Sequence, residues 1–192
     1  MGTQRLEAFS DGVIAILITI MVLELRIPHG SDAATLRPLV PVFLTYVLSF
    51  VNLGIYWNNH HHMLQSTKKI NGTILWANLH LLFWLSMLPF FTGWMGENDF
   101  ATLPTAAYGG VLLLAAIAYF MLQSAIIAGQ RPDTTLADAL GRDIKGKISP
   151  VFYIVAIPLA FVSRWVAVSL YVVVAVLWLV PDRRLESGLD GV

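Results

Sequence analysis

Cysteine is absent from the 192 residues, which excludes a disulfide framework and a thiolate metal site. Charge is scarce as well. Only 12% of residues are charged, against about 25% in an ordinary soluble domain, so half of the usual solubilising surface is missing. Basic and acidic residues number 12 each and the net charge is zero, and no basic run addresses nucleic acid. There is no low-complexity tract, no loop long enough for a separate domain and no convincing internal repeat. No cleavable signal is expected, because Glu7 and Asp11 precede the first apolar run and no small-residue cleavage site follows it. "MGTQRL" begins like a myristoylation signal, but Leu6 stands where Ser or Thr is wanted. What is present instead is apolar: 57% hydrophobic residues and a mean hydropathy of +0.69. The composition is that of an integral membrane protein.

A bilayer core takes about 20 apolar residues per helix. Four runs meet that length: 7–25, 39–57, 74–95 and 106–128. The last apolar region, 148–180, is too long for one pass and is interrupted by Arg164 inside "FVSRWVAV". It reads as two short helices, 148–163 and 165–180, joined by a tight turn near Ser163–Trp165. The expectation is an all-α membrane protein of one six-span domain, residues 1–192.

Basic residues orient it. With the N-terminus inside, Arg5, Lys68, Lys69, Arg131, Arg142, Lys145, Lys147, Arg183 and Arg184 are cytoplasmic, and only Arg26, Arg37 and Arg164 lie outside. That asymmetry is the one cytoplasmic loops carry, so both termini are expected in the cytoplasm of a multi-pass cell-membrane protein. In the longest loop, 129–147, "TTLADAL" has the pattern of a short interfacial helix capped by Thr134 or Thr135.

The first span, "RLEAFSDGVIAILITIMVLEL", carries Arg5, Glu7, Ser10 and Asp11 in its opening turns. At about 100° per residue, Ile16, Thr19, Ile20 and Leu23 share one stripe, and Asp11 lies about 140° from Ile16. Two readings of Asp11 stand. It favours the helix N-terminus at the water interface, or it points into neighbouring helices, where charged groups inside spans usually mark function. Partners are available at matching depth: Trp57, Asn58, Asn59 and the run His60–His62 on span two, and Trp76, Asn78 and His80 on span three. A fully satisfied polar network makes such burial tolerable. The three consecutive histidines point about 100° apart on a helix and no His-x-x-x-His occurs. They therefore read as hydrogen-bonded or interfacial groups rather than as a metal site.

"RLEAFSDG" resembles the Arg-x-x-x-Phe-Ser-Asp signature of the transmembrane protein 175 family of potassium channels, here Arg5, Phe9, Ser10 and Asp11. The similarity continues through "VIAILITIMVLEL", the histidine-rich end of span two and "NLHLLFWLSMLPF" of span three. The resemblance implies a pore lined by the first helix, with a bulky aliphatic residue five positions after the signature Asp as the constriction. Here that residue is Ile16. It implies a role in potassium selectivity for Thr19, with Ile20 and Leu23 as further pore-lining positions. It also implies that Arg5 and Asp11 are tied to polar residues of spans two and three, the matching candidates being His61 or His62, Trp76, Asn78 and His80. A single six-span unit implies a homotetramer, where animal members pair a doubled unit. Potassium ions, the lipid bilayer and other copies of the chain are the expected partners, and no cofactor is expected.

No Thr-Val-Gly-Tyr-Gly loop is present, so no carbonyl filter of the usual potassium-channel kind is available. Two further readings compete with the channel. A proton-coupled carrier or proton pathway would use Asp11 and the histidines, with Pro89 and Pro158 as the only hints of the broken helices carriers show. A membrane enzyme on the same residues lacks a nucleophile–base spacing or a ligand pattern.

Overall fold

A computed structural model describes residues 2–65, 67, 69–129 and 144–179. Within them the chain is helical throughout: α1 (Thr3–Leu23), a 3-10 turn (Ala33–Leu39), α2 (Val40–Gln65), α3 (Gly72–Ser86), α4 (Leu88–Glu97), α5 (Thr102–Gly129), α6 (Ile144–Leu159) and α7 (Arg164–Leu179). The segment expected to hold an interfacial helix, 134–140, lies outside the described residues, as do Lys68, Arg131, Arg142, Arg183 and Arg184.

Each break has a local cause. Asn71 caps α3 by accepting the Ile74 backbone N–H at 2.9 Å, satisfying one of the orphan donors at a helix start. Pro89 has no N–H for the carbonyl one turn back, and α3 and α4 meet at Met87 as one kinked pass over Gly72–Glu97. Counting that pair once, the helices make six passes. α1, Ala33–Gln65, Gly72–Glu97 and α5 are long and apolar enough to cross a membrane, whereas the apolar lengths of the last two, Ile148–Leu159 and Arg164–Leu179, are shorter.

The last turn falls earlier than expected. Pro158 withdraws a donor from the final turn of α6, and the Ser163 N–H closes on the Leu159 carbonyl at 2.8 Å. The turn therefore occupies 160–163, and Arg164 opens α7 instead of sitting within the turn. α2 also runs on to Gln65, so all three consecutive histidines are helical.

α5 is the central element, packed on α3, α4, α6 and α7, while α2 packs on α1 and α4. Close approach relies on small residues. A Cβ at Gly109 would overlap the Tyr171 hydroxyl and lie 2.6 Å from its Cζ, and one at Gly96 would lie 2.8 Å from the Val42 Cα. Several polar groups between helices are paired. Ser49 bonds Thr92 at 2.6 Å and Tyr108 at 3.0 Å, Thr92 donates to the Leu88 carbonyl at 2.6 Å, and Tyr171 donates to the Thr105 carbonyl at 3.1 Å. These hydroxyls fasten the kinked pass to α2 and α7 to α5.

α1 lies against α2, α3 and α4. It buries Leu6, Ser10, Ile14, Leu17 and Met21, steps of three or four residues that make one face of a helix.

Candidate pore helix and its polar anchor

The face of α1 opposite that buried stripe carries Ile16, Thr19, Ile20 and Leu23, and all four are exposed in the folded chain. Ile16 is 60% exposed and Leu23 77%. The Thr19 hydroxyl donates to the Ala15 carbonyl at 2.9 Å. Its proton is thereby committed to its own helix, and only oxygen lone pairs face outward.

The signature residues separate into several environments. Ser10 is fully buried, donates to the Leu6 carbonyl at 2.9 Å and accepts from Asn78 Nδ2 at 3.0 Å. Asn78, also fully buried, accepts through Oδ1 from His60 Nε2 at 2.6 Å. Spans one, two and three are thus joined by one line of bonds, and the histidine in it is His60 rather than His61 or His62. His60 is 1% exposed, and its Nδ1 has no hydrogen-bond partner among the described residues.

Asp11 is half-buried and accepts from the Trp57 indole N–H at 3.0 Å. Its tie is to span two, with no bond to span three among the described residues. His61 Nδ1 pairs with Glu7 Oε1 at 2.6 Å, and the His61 ring stacks on Trp57. His62 is half-buried, with its ring against His61. Near the start of the helix, Thr3 donates to the Thr67 carbonyl at 3.1 Å.

Other candidates are not brought into this cluster. Arg5 is exposed and bonds to no described side chain. Phe9 is 50% exposed and Trp76 75%, so both rings face away from the bundle. His80 accepts from Trp84 Nε1 at 2.9 Å, one turn along its own helix. Among the described residues, no group of three or more His, Asp and Glu gathers to hold a metal ion.

His60 had a signal in the sequence. Walking the period of α2 from Ser49 to Asn52, Tyr56 and then residue 60 follows the inward face in steps of three and four. Glu7 as a histidine partner had none beyond its position one turn before Asp11.

At the opposite end of α1, Glu24 borders an open cleft of about 440 Å³ shared with Tyr46, Thr92, Trp94 and Glu97. Arg26 pairs with Glu97 at 2.7 Å on the surface. Partial burial, with the Glu97 charge adding to it, raises the Glu24 carboxyl above its ordinary value.

The chain is similar to several known proteins. The profile of the family described as "Endosomal/lysosomal potassium channel TMEM175" matches residues 5–89. A potassium channel of Chryseobacterium sp. is 52% identical over 189 residues, covering 98% of each chain. A potassium channel of Chamaesiphon minutus is 30% identical over 188 residues, covering 91% of this chain and 92% of its own. The crystal structure of a lysosomal potassium-selective channel TMEM175 homolog from the same organism superposes with a TM-score of 0.80 at 28% identity, over 92% of this chain and 95% of that one. Their coverage extends well past the signature region to the length of the six passes, and the chain belongs to the TMEM175 family of potassium channels.

Proposed function

We propose that the chain is a passive potassium-selective cation channel of the cell membrane, with both termini cytoplasmic. Its single six-span domain assembles as a homotetramer around α1. The observation that carries this reading is the exposed stripe Ile16–Thr19–Ile20–Leu23 on a helix whose other face is packed and hydrogen-bonded. In one chain the stripe faces outward, so a pore lined by it requires further copies. Four Ile16 side chains form a narrow apolar collar that excludes water. Beyond it, four Thr19 hydroxyls, each with its proton turned back onto Ala15, present acceptor oxygens to a cation. Potassium sheds hydration water more readily than sodium, and the ring favours it on that ground. No carboxylate lies on the stripe to repay the larger dehydration cost of a divalent ion. The permeant ion takes the place of a cofactor, and the family is one of channels rather than enzymes.

The bond pattern disfavours a proton pathway through His60. The line His60 to Asn78 to Ser10 ends on the Leu6 carbonyl, which cannot pass a proton on. Asp11 is held by an indole N–H that only donates.

Thr19→Val tests the assignment, because it keeps the shape and removes the oxygen. The variant tetramer conducts, with the reversal potential under opposed potassium and sodium shifted toward equal permeability. An unshifted reversal potential would remove the hydroxyl ring from selectivity. A monomer in mild detergent, with no current in planar bilayers, would remove the pore itself.

A further inference from the structure

The last two apolar runs, 148–163 and 165–180, are short for the membrane that the others cross. Pro181 and Asp182 close the last apolar run in the sequence; its 16 residues would rise about 24 Å as a helix, and the apolar part of α6, Ile148–Leu159, is shorter still. A hydrocarbon core is about 30 Å thick. α5, with 28 residues, has no such deficit. The turn of the hairpin carries one cation, Arg164, which opens α7.

The tip is built for lipid rather than water. Phe161 is 64% exposed, Val162 83% and Trp165 56%. The Arg164 guanidinium lies 5.4 Å from the Trp165 ring centroid, and no ion pair or hydrogen bond joins it to another described residue. The turn before α5 secures this arrangement. Asp99 and Phe100 both hold positive φ, 49° and 57°, and Phe100 is 5% exposed with its ring 5.4 Å from that of Trp165. Positive φ is costly for residues with a Cβ, and here it accompanies the burial of Phe100 against Trp165. Asp99 stands in that neighbouring turn without pairing with Arg164.

We infer that the α6–α7 hairpin is a thin face of the protein. It draws the headgroup phosphates of the leaflet at its tip inward onto Arg164, with Phe161, Val162 and Trp165 seated among the upper acyl chains. A cation stacked on an indole and lacking a protein carboxylate calls for an anion, and a phospholipid phosphate is the anion present at that depth. Bilayers thin locally around apolar segments shorter than their core, and Arg164 sets how far at the tip. The occupant is a phospholipid, and the inference is independent of which side of the membrane the termini face.

Two measurements test it. The chain has no cysteine, so Val162→Cys carries a single nitroxide. In vesicles of phosphatidylethanolamine and phosphatidylglycerol, that label should be relaxed by dissolved oxygen and shielded from a water-soluble nickel chelate. Relaxation mainly by the chelate places the tip in water and overturns the inference. In the second measurement, protein extracted from the same vesicles is weighed in native mass spectra. Wild type and Arg164→Lys should retain phosphatidylglycerol, and Arg164→Gln should retain several-fold less. Equal retention by Arg164→Gln overturns the assignment of the phosphate to this side chain. If Arg164→Gln does not fold, the nitroxide result on the otherwise native chain still decides whether the tip is in lipid.

Discussion

Ile16→Asn is the substitution that most directly probes the pore. The side chain is 60% exposed and faces away from the bundle, so the packing of a single chain does not depend on it. Substitutions at such positions usually change stability by no more than about 0.5 kcal/mol, and a normally assembled protein is expected. Leu17, the next residue, is the control, because it is 5% exposed and packs into the core. There an amide in place of the isobutyl group forfeits apolar burial and strands a polar group, at a cost of about 2–5 kcal/mol. Leu17→Asn should therefore lose protein. Ile16→Asn should lose the barrier instead. An amide ring holds water where an aliphatic collar sheds it, and each 1.4 kcal/mol taken from a dewetting barrier raises the current about tenfold. Selectivity should fall with it, since ions then pass with more of their hydration shell. Single-channel recording of both variants in planar bilayers, with assembly checked by size-exclusion chromatography, reads every term. Unchanged conductance in an intact Ile16→Asn assembly would refute the collar and take α1 out of the pore.

Asn78→Ala should lower thermal stability in detergent by about 1–3 kcal/mol for each buried group left unpaired, here His60 Nε2 and the lone pair of Ser10; a melting temperature equal to wild type would show the line of bonds to be dispensable. Asp11→Ala removes one bond at a half-buried site and should cost less than Asn78→Ala in the same melt, and the reverse order would contradict the geometry. Gly109→Ala should be poorly tolerated because the new methyl meets the Tyr171 ring, and Tyr171→Ala in the same chain should restore part of the loss, as a thermal melt of the double variant would show. Acidifying the Glu24 side should reduce cation current at a pH above the ordinary glutamate value of 4.5, since burial and Glu97 raise this carboxyl and its attracting charge disappears as pH falls through the raised pKa; Glu24→Gln should remove that limb of the pH–current curve.

Much of this was legible in the sequence because the signals were long. Four apolar runs gave four long passes, and Arg164 marked the division of the last region. That Ile16, Thr19, Ile20 and Leu23 share one stripe of α1 followed from helical period, while their pore-lining role was implied by the family resemblance. What was misplaced depended on short-range chemistry. The turn moved to 160–163 because a proline near the end of α6 and one backbone bond at Ser163 decide it. Trp76 shares a helix and a depth with Asn78, yet two residues on a helix are about 200° of rotation, and that carries the indole to the outside. His60 was overlooked in favour of its neighbours because three identical residues look interchangeable. The inward phase of α2 distinguishes them.

The bonds along α1 are unevenly distributed, and this has a mechanical consequence. Thr3, Glu7, Ser10 and Asp11 tie its first half to the rest of the chain. From Ile14 to Leu23 it is held through apolar contacts, chiefly Ile14, Leu17 and Met21, and past its end, among the described residues, an exposed ion pair follows, Arg26 with Glu97, a kind worth little. Hydrogen bonds fix direction, whereas hydrophobic contact has none and tolerates sliding. Within one chain α1 is therefore anchored like a cantilever, bonded at its base, with Ile16, Thr19, Ile20 and Leu23 all on the arm without hydrogen bonds to other helices. A small rocking at the clamp grows with distance along the arm, so Leu23 sweeps further than Ile16 for the same tilt, and the proposed pore would widen first at its tip.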